Sequence, residues 1–107
     1  MIEVEGDIEL DVSDEGKVFV GAYDDFGILK PNEINKLEFH SLANVIEERD
    51  RNFGQITSVH CLKDIVLFTA DKTLYLYNGE SIQVVASTYT FFKSFKANNK
   101  IYIYKNL

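Results

Sequence analysis

The chain has 107 residues, of which 46% are hydrophobic, and this suits one globular domain of ordinary core size. Its formal net charge of −6 argues against nonspecific nucleic-acid binding over the whole surface, so we expect no direct nucleic-acid partner. No apolar run approaches the ~20 residues needed to span a bilayer, and the first ten residues are acidic where a signal peptide would be basic. We therefore expect no signal, transmembrane segment or membrane contact in this chain.

The charges are unevenly distributed along the sequence. Residues 1–80 carry all 17 acids and seven bases, whereas residues 81–107 carry four lysines and no acid. The favoured interpretation is that these lysines lie on solvated strand edges, where they discourage aggregation. A phosphate-binding patch is less favoured, because no glycine-rich loop or basic cluster accompanies the lysines. A further hypothesis is that the basic end pairs with the acidic beginning, within the chain or between copies, through salt-sensitive contacts.

Four strands are predicted over residues 8–40, the first structural unit. Residues 8–12 alternate between polar and apolar side chains, as in a half-exposed strand, and residues 17–22 are apolar on both faces, as in a buried one. Residues 26–30 form the next strand, with Gly27 permitting a close backbone approach or a bulge. Pro31 and the following asparagine end that strand, and residues 37–40 alternate again.

The rest of the chain repeats this pattern after a connector at residues 41–52, which has space for a helical turn. The second unit, residues 53–87, has predicted strands at residues 55–62, 65–70, 73–77 and 81–87, with Asn78-Gly79 as a two-residue hairpin signal. Residues 88–107 contain two more strands, joined by a turn at residues 97–99.

The buried strands recur at Val18, Ile65 and Ile101, which lie 47 and 36 residues apart. This spacing is close to the ~40–50 residues of a four-stranded propeller blade. The predicted fold class is therefore all-β, a single unit over residues 1–107 in which antiparallel four-stranded sheets repeat as β-propeller blades. Because a ring usually needs at least ~4 blades, two and a half blades form a partial propeller with open apolar faces. The expected partner is the rest of its own propeller or a second copy.

One pattern in the sequence resembles a known family. It consists of an aromatic strand ending at Asn78-Gly79 and of the residues Gly21, Asp24, Asp25, Gly27, Pro31, Asn32, Ser41 and Leu42. It is similar to the extracytoplasmic sensor propellers of membrane-bound regulators in Bacteroidetes-type bacteria, both hybrid two-component sensors and one-component transcriptional regulators. The chain differs from these propellers in having no Trp. Phe19 and Phe68 stand where many members have a Trp in the buried strand.

The resemblance implies a domain that binds a signal, often derived from a carbohydrate, and relays its presence to a kinase or DNA-binding module. Those effector parts lie outside this sequence. The implied location is the periplasmic or extracytoplasmic part of an inner-membrane protein. The missing Trp weakens the carbohydrate expectation, because sugar sites often use aromatic platforms, although the six tyrosines could serve.

Tyr23, Asp24 and Asp25 are the candidate ligand-binding residues, since they occupy a strand-connecting turn of the kind that carries binding groups. A turn-stabilising role for the two carboxylates is the simpler alternative. They lack the further oxygen ligands of a calcium loop, and the sequence contains no Cys-His cluster of metal spacing, so neither a metal nor another cofactor is expected.

The sequence contains no recognisable catalytic motif, so no catalytic residue is assigned and a non-catalytic role is expected. His40 and His60 lie in different units, and Cys61 is interpreted as a buried, inert thiol. Two alternatives to a sensor segment stay open. One is a stand-alone all-β interaction module, and the other is a hydrolase fragment that would use carboxylates at Asp24/Asp25 and Glu47/Glu48.

Overall fold

A computed structural model describes residues 7–46, 54–86 and 90–106. Its first sheet, sheet 1, contains four antiparallel strands that lie side by side in chain order. They are β1 (Glu9–Val12), β2 (Val18–Ala22), β3 (Asp25–Pro31) and β4 (Leu37–Ser41).

A single 3-10 turn, Ala43–Val45, follows sheet 1. Sheet 2 then repeats the four-stranded antiparallel order with β5 (Ser58–Cys61), β6 (Val66–Thr69), β7 (Thr73–Tyr77) and β8 (Ile82–Ala86). The last two strands, β9 (Thr90–Ala97) and β10 (Lys100–Asn106), pair with each other as a hairpin.

The prediction of an all-β fold with antiparallel sheets is confirmed, and the described residues form sheets of four, four and two strands. The predicted first unit, residues 8–40, contains sheet 1 except for Ser41, which is the last residue of β4. The predicted connector, residues 41–52, contains the 3-10 turn, and its residues 47–52 lie outside the described part. Within residues 7–46, 54–86 and 90–106, no helix has the length and apolar character needed to cross a membrane.

Sheets 1 and 2 pack face to face around one aromatic cluster. The rings of Phe26 and Phe68 lie with centroids 4.3 Å apart, and Tyr75 lies 5.1 Å from Phe26. Phe19 meets Phe68 edge-on at 6.4 Å. All four of these side chains are buried, because alternate side chains along each of β2, β3, β6 and β7 point toward the other sheet and these ones are apolar. This shared core makes the two sheets one packed body.

The first strand of each sheet lies at the same side of the molecule. β1 lies against β5, and β5 in turn lies against β9. We call β1, β5 and β9 the inner strands. In sheets 1 and 2 the chain moves away from this side strand by strand, so β4 and β8 lie at the opposite edges. The inner strands are therefore where all three sheets meet.

Local sequence explains two of the strand connections. Asn98 and Asn99 both adopt positive φ, 52° and 58°, as a two-residue hairpin turn between β9 and β10 requires. The Asn78-Gly79 signal also produces a hairpin, but one residue later than predicted. The Asn78 N–H donates to the Ser81 carbonyl, which places Gly79 and Glu80 at the tip.

Candidate functional site

The predicted ligand turn, Tyr23, Asp24 and Asp25, lies at one end of sheet 1, where Tyr23 and Asp24 connect β2 to β3 and Asp25 is the first residue of β3. Asp24 has a positive φ of 52°, and its N–H donates to the Gly54 carbonyl at 2.6 Å. The Asp24 carboxylate accepts the Gly54 N–H in return. Asp24 thus joins the turn to the segment that leads into sheet 2, which is a structural use of its backbone and its side chain.

Asp25 is held in a similar way. Its Oδ1 accepts a hydrogen bond from the Ser41 hydroxyl at 2.6 Å and another from the Phe26 N–H at 2.9 Å. Tyr23 forms a backbone bridge with Gln55, while its side chain is 51% exposed. Tyr23 is the most exposed of the three residues, since Asp24 and Asp25 are half-buried. Their role in ligand binding stays a prediction.

The distance between the two carboxylate pairs of the hydrolase alternative is not described, because Glu47 and Glu48 lie outside the described residues. The two histidines are in different sheets, as expected. His40 lies on β4 with its Nε2 3.7 Å from Glu38, and His60 lies on β5 with its Nε2 3.0 Å from the Ser94 hydroxyl. The described part of the chain contains no group of three or more His, Cys, Asp or Glu side chains placed to hold a metal ion.

A polar contact joins all three sheets at the inner strands. Asp11 on β1 accepts the Cys61 N–H at 2.8 Å and lies 2.8 Å from the Lys96 ammonium of β9. Lys96 also donates to the Cys61 carbonyl at 3.1 Å. We call Asp11, Cys61 and Lys96 the three-sheet junction. Here one base from the basic end pairs with one acid from the acidic beginning, within the chain, as the charge distribution suggested.

The surroundings of the junction change the acidity of two groups. Burial acts to raise the pKa of Asp11, but the Cys61 N–H and the Lys96 ammonium outweigh it and hold that pKa below its ordinary value of 3.8. Burial, reinforced by the Asp11 charge, raises the pKa of the Cys61 thiol to about 11. The thiol is therefore protonated at neutral pH, which agrees with the prediction of a buried, inert cysteine.

Replacing Asp11 tests the junction. We expect Asp11→Ala to lower the free energy of unfolding by about 1–2 kcal/mol at pH 7, because the Cys61 N–H loses its acceptor and Lys96 its counter-charge. Because the pKa of Asp11 is lower in the folded chain, its ionic contribution is full above the unfolded value and is lost as the pH falls through the folded value, below 3.8.

Urea unfolding between pH 7 and pH 3 measures both effects. Asp11→Asn keeps an acceptor for Cys61 but has no charge, so its stability should fall less steeply below pH 4 than that of the unaltered chain. Asp71→Asn, in the exposed β6–β7 turn, is the matched control and should follow the unaltered chain. Parallel acid profiles for Asp11→Asn and the unaltered chain would contradict a structural role for the Asp11 charge.

A cleft of about 650 Å³ separates sheets 1 and 2 at the end opposite the Tyr23 turn. Its floor is apolar and aromatic, formed by Phe19, Ile28, Val66 and Tyr77. The Tyr77 hydroxyl donates to the Gly79 carbonyl at 3.1 Å, which holds the ring in this floor. We call this space the inter-sheet cleft. Its volume is within the range of small-molecule pockets, about 300–1,000 Å³.

Charged side chains surround the mouth of the inter-sheet cleft. Lys17, Lys30 and Lys63 line it, together with His40. The carboxylates that also line it are Glu15 and Asp64, and within the described residues neither lies within ion-pair distance of a lysine. Within the described residues, the cleft therefore presents three ammonium groups without an ionic partner above an aromatic floor.

Sequence reasoning missed the three-sheet junction and the inter-sheet cleft. The uneven charge distribution pointed to acid–base pairing but to no particular pair. The alternation along β2 and β3 places Lys17 on the same face as Phe19 and Lys30 on the same face as Ile28. Only the register, in which Val18 pairs with Leu29, brings the two lysines together.

In comparisons with protein-family models, curated proteins and solved structures, no match to the chain was found.

Proposed function

We propose that the chain is a non-catalytic, ligand-sensing or interaction segment of a bacterial signal-transduction sensor propeller. In this proposal its sheets are blades, and binding is relayed to kinase or DNA-binding parts outside the chain, across an inner membrane from the periplasmic side. The observation that carries the proposal is the equivalence of two inner strands, β1 and β5. It bears on the blade arrangement, and the sensing role rests on the sequence resemblance.

The equivalence follows from the strand registers. Val12 pairs with the first residue of β2, and Cys61 pairs with the first residue of β6, so Val12 and Cys61 are corresponding positions. By the same register, Asp11 corresponds to His60 and Leu10 to Val59. Corresponding residues are thus 49 positions apart on the inner strands and 48 apart at the start of the second strands, from Val18 to Val66, against the 47 from Val18 to Ile65 that the sequence suggested.

Corresponding positions make corresponding contacts. Asp11 points from sheet 1 toward sheet 2 and the hairpin, and His60 points from sheet 2 to Ser94 on the hairpin. The inner strands β1 and β5 thus each extend one polar side chain toward the sheet that follows. This is the relation expected when successive sheets are rotated copies about a common axis, as in a propeller.

The opposite faces of the inner strands differ in one respect. Val59 and Cys61, only 5% and 6% exposed, are covered by sheet 1. Their counterparts Leu10 and Val12 are 57% and 49% exposed. Around them lie Leu37, also exposed, and the half-buried Val18, Leu29 and Phe39. We call this apolar surface the outer face of sheet 1. By continuity with the sheet 1–sheet 2 interface, its occupant is another antiparallel sheet of the same kind, contributed by the rest of the propeller.

The test is the mass of the 107-residue chain by light scattering after size exclusion, over a range of concentrations. An open outer face should drive concentration-dependent association. We expect the double variant Leu10→Thr/Val12→Thr, which keeps β-propensity but removes apolar surface, to shift the species toward the monomer. Val45→Thr alters an equally exposed valine in the 3-10 turn and is the matched control.

A compact monomer at every concentration would contradict the open outer face. It would favour the second candidate, a stand-alone interaction module, for which the Asp11–Lys96 pair between the first and last sheets is the supporting observation. Association that the double variant does not change would place the contact elsewhere on the molecule and would likewise overturn the proposed occupant. A stable dimer dependent on Leu10 and Val12 would identify the occupant as a second copy.

A further inference from the structure

We propose that the inter-sheet cleft binds a small organic anion with a flat apolar body, such as an aromatic carboxylate. This inference rests on the proposed ligand-binding role and names the class of ligand. It is independent of the propeller arrangement, because every wall of the cleft belongs to this chain. It also assigns binding to the end of sheet 1 opposite the Tyr23 turn.

The first step of the argument is the relation between two lysines. Lys17 directly precedes Val18 and Lys30 directly follows Leu29, and Val18 pairs with Leu29. Their side chains therefore stand on the cleft face at neighbouring positions of adjacent strands. Like charges placed opposite each other on a sheet repel. An anion between the two ammonium groups would convert that repulsion into two attractive contacts.

The second step concerns the acids that face these lysines. Glu38 is opposite Lys30 in the β3–β4 register, but its carboxylate accepts a hydrogen bond from Asn32 at 3.0 Å and lies 3.7 Å from His40. Glu15 and Asp64 line the cleft without reaching a lysine within the described residues. Within the described residues, the ammonium groups of Lys17, Lys30 and Lys63 are therefore available to a ligand. The Glu38 carboxylate instead contacts Asn32 and His40.

The third step is the floor beneath the charges. Phe19 and Tyr77 lie with ring centroids 6.1 Å apart, and the aliphatic side chains of Ile28 and Val66 lie beside them. Such a surface favours a planar apolar body by stacking and burial. A ligand with a carboxylate on one edge and a flat apolar body would place its charge at the lysines and its body on the floor.

The test uses nitrogen-15 NMR spectra of the whole 107-residue chain, titrated with naphthalene-2-carboxylate and, separately, with the neutral naphthalene-2-carboxamide. We expect saturable shifts of the amides around Lys17, Phe19 and Val66 with the carboxylate, and much weaker binding of the carboxamide. The double variant Lys17→Gln/Lys30→Gln should weaken carboxylate binding at least about tenfold, since two charge-assisted contacts are removed.

Lys36→Gln/Lys72→Gln is the matched control. It removes two exposed turn lysines that do not line the cleft, and it should bind like the unaltered chain. No saturable shift up to about 10 mM carboxylate, equal binding of the carboxamide, or equal weakening by both double variants would overturn the inference. The Leu10 and Val12 experiment probes a different face, so failure here and failure of the proposed blade arrangement are separate results.

Discussion

Replacing Phe68 by alanine should lower the free energy of unfolding by about 3–5 kcal/mol, a large part of the stability of a domain of this size. Phe68 is completely buried, and its ring packs against two rings of the facing sheet. Its ring centroid lies 4.3 Å from that of Phe26 and 6.4 Å from that of Phe19. The alanine variant loses these contacts and leaves a cavity between the sheets. Urea unfolding followed by circular dichroism measures the change.

Two comparison variants make the measurement specific. Phe68→Leu retains most of the buried volume and should cost roughly half as much as Phe68→Ala. Val85→Ala, on the exposed surface of β8, should change the free energy of unfolding by less than about 0.5 kcal/mol. A loss below about 1 kcal/mol for Phe68→Ala would mean that sheets 1 and 2 do not share this core, and the inter-sheet cleft would then lose its walls.

Replacing Gly27 by alanine should cost about 2–3 kcal/mol, although only one methyl group is added. A Cβ at this position would meet the carbonyl oxygen of His40 on the neighbouring strand β4. Because the obstacle is backbone, a change of side-chain rotamer cannot relieve the clash, and β4 must move. Urea unfolding gives the loss of stability, and amide hydrogen exchange should show faster exchange concentrated in β4.

Gln83→Ala is the control for an alanine in an exposed strand position, and it should leave both measurements nearly unchanged. Unchanged stability of Gly27→Ala would show that the backbones of β3 and β4 do not approach each other this closely. Loss of stability with uniform exchange in all strands would place the strain outside β4, also against the expectation.

Much of the strand order could be read from local sequence. Residues 17–22 are apolar on both faces, and β2 is buried as this pattern requires. Pro31 ends β3, as expected of a residue that has no N–H for the next ladder bond. The side chain of Asn32 then accepts the N–H groups of Ile34 and Lys36 in the turn. These features depend on neighbours in the chain, so sequence reasoning could find them.

The candidate site was less accessible to sequence reasoning. Asp24 was correctly placed on a strand-connecting turn and Asp25 is the first residue of β3, but their partners Gly54 and Ser41 are 30 and 16 residues away along the chain. The inter-sheet cleft depends on the packing of two sheets and on a cross-strand register that joins Lys17 to Lys30. Such relations are set by tertiary contacts, and alternation within one strand does not determine them.

The sequence by itself determined that the chain is all-β, where its turns lie and which strand residues are apolar, because these properties follow from side-chain periodicity and local backbone preference. Only the tertiary structure decided which residue faces which. It placed Asp11 between Cys61 and Lys96, residues 50 and 85 positions away, and left Leu10 and Val12 exposed while burying their counterparts Val59 and Cys61. The physical reason is that burial depends on whether another sheet covers a face, and that is a property of the assembled sheets.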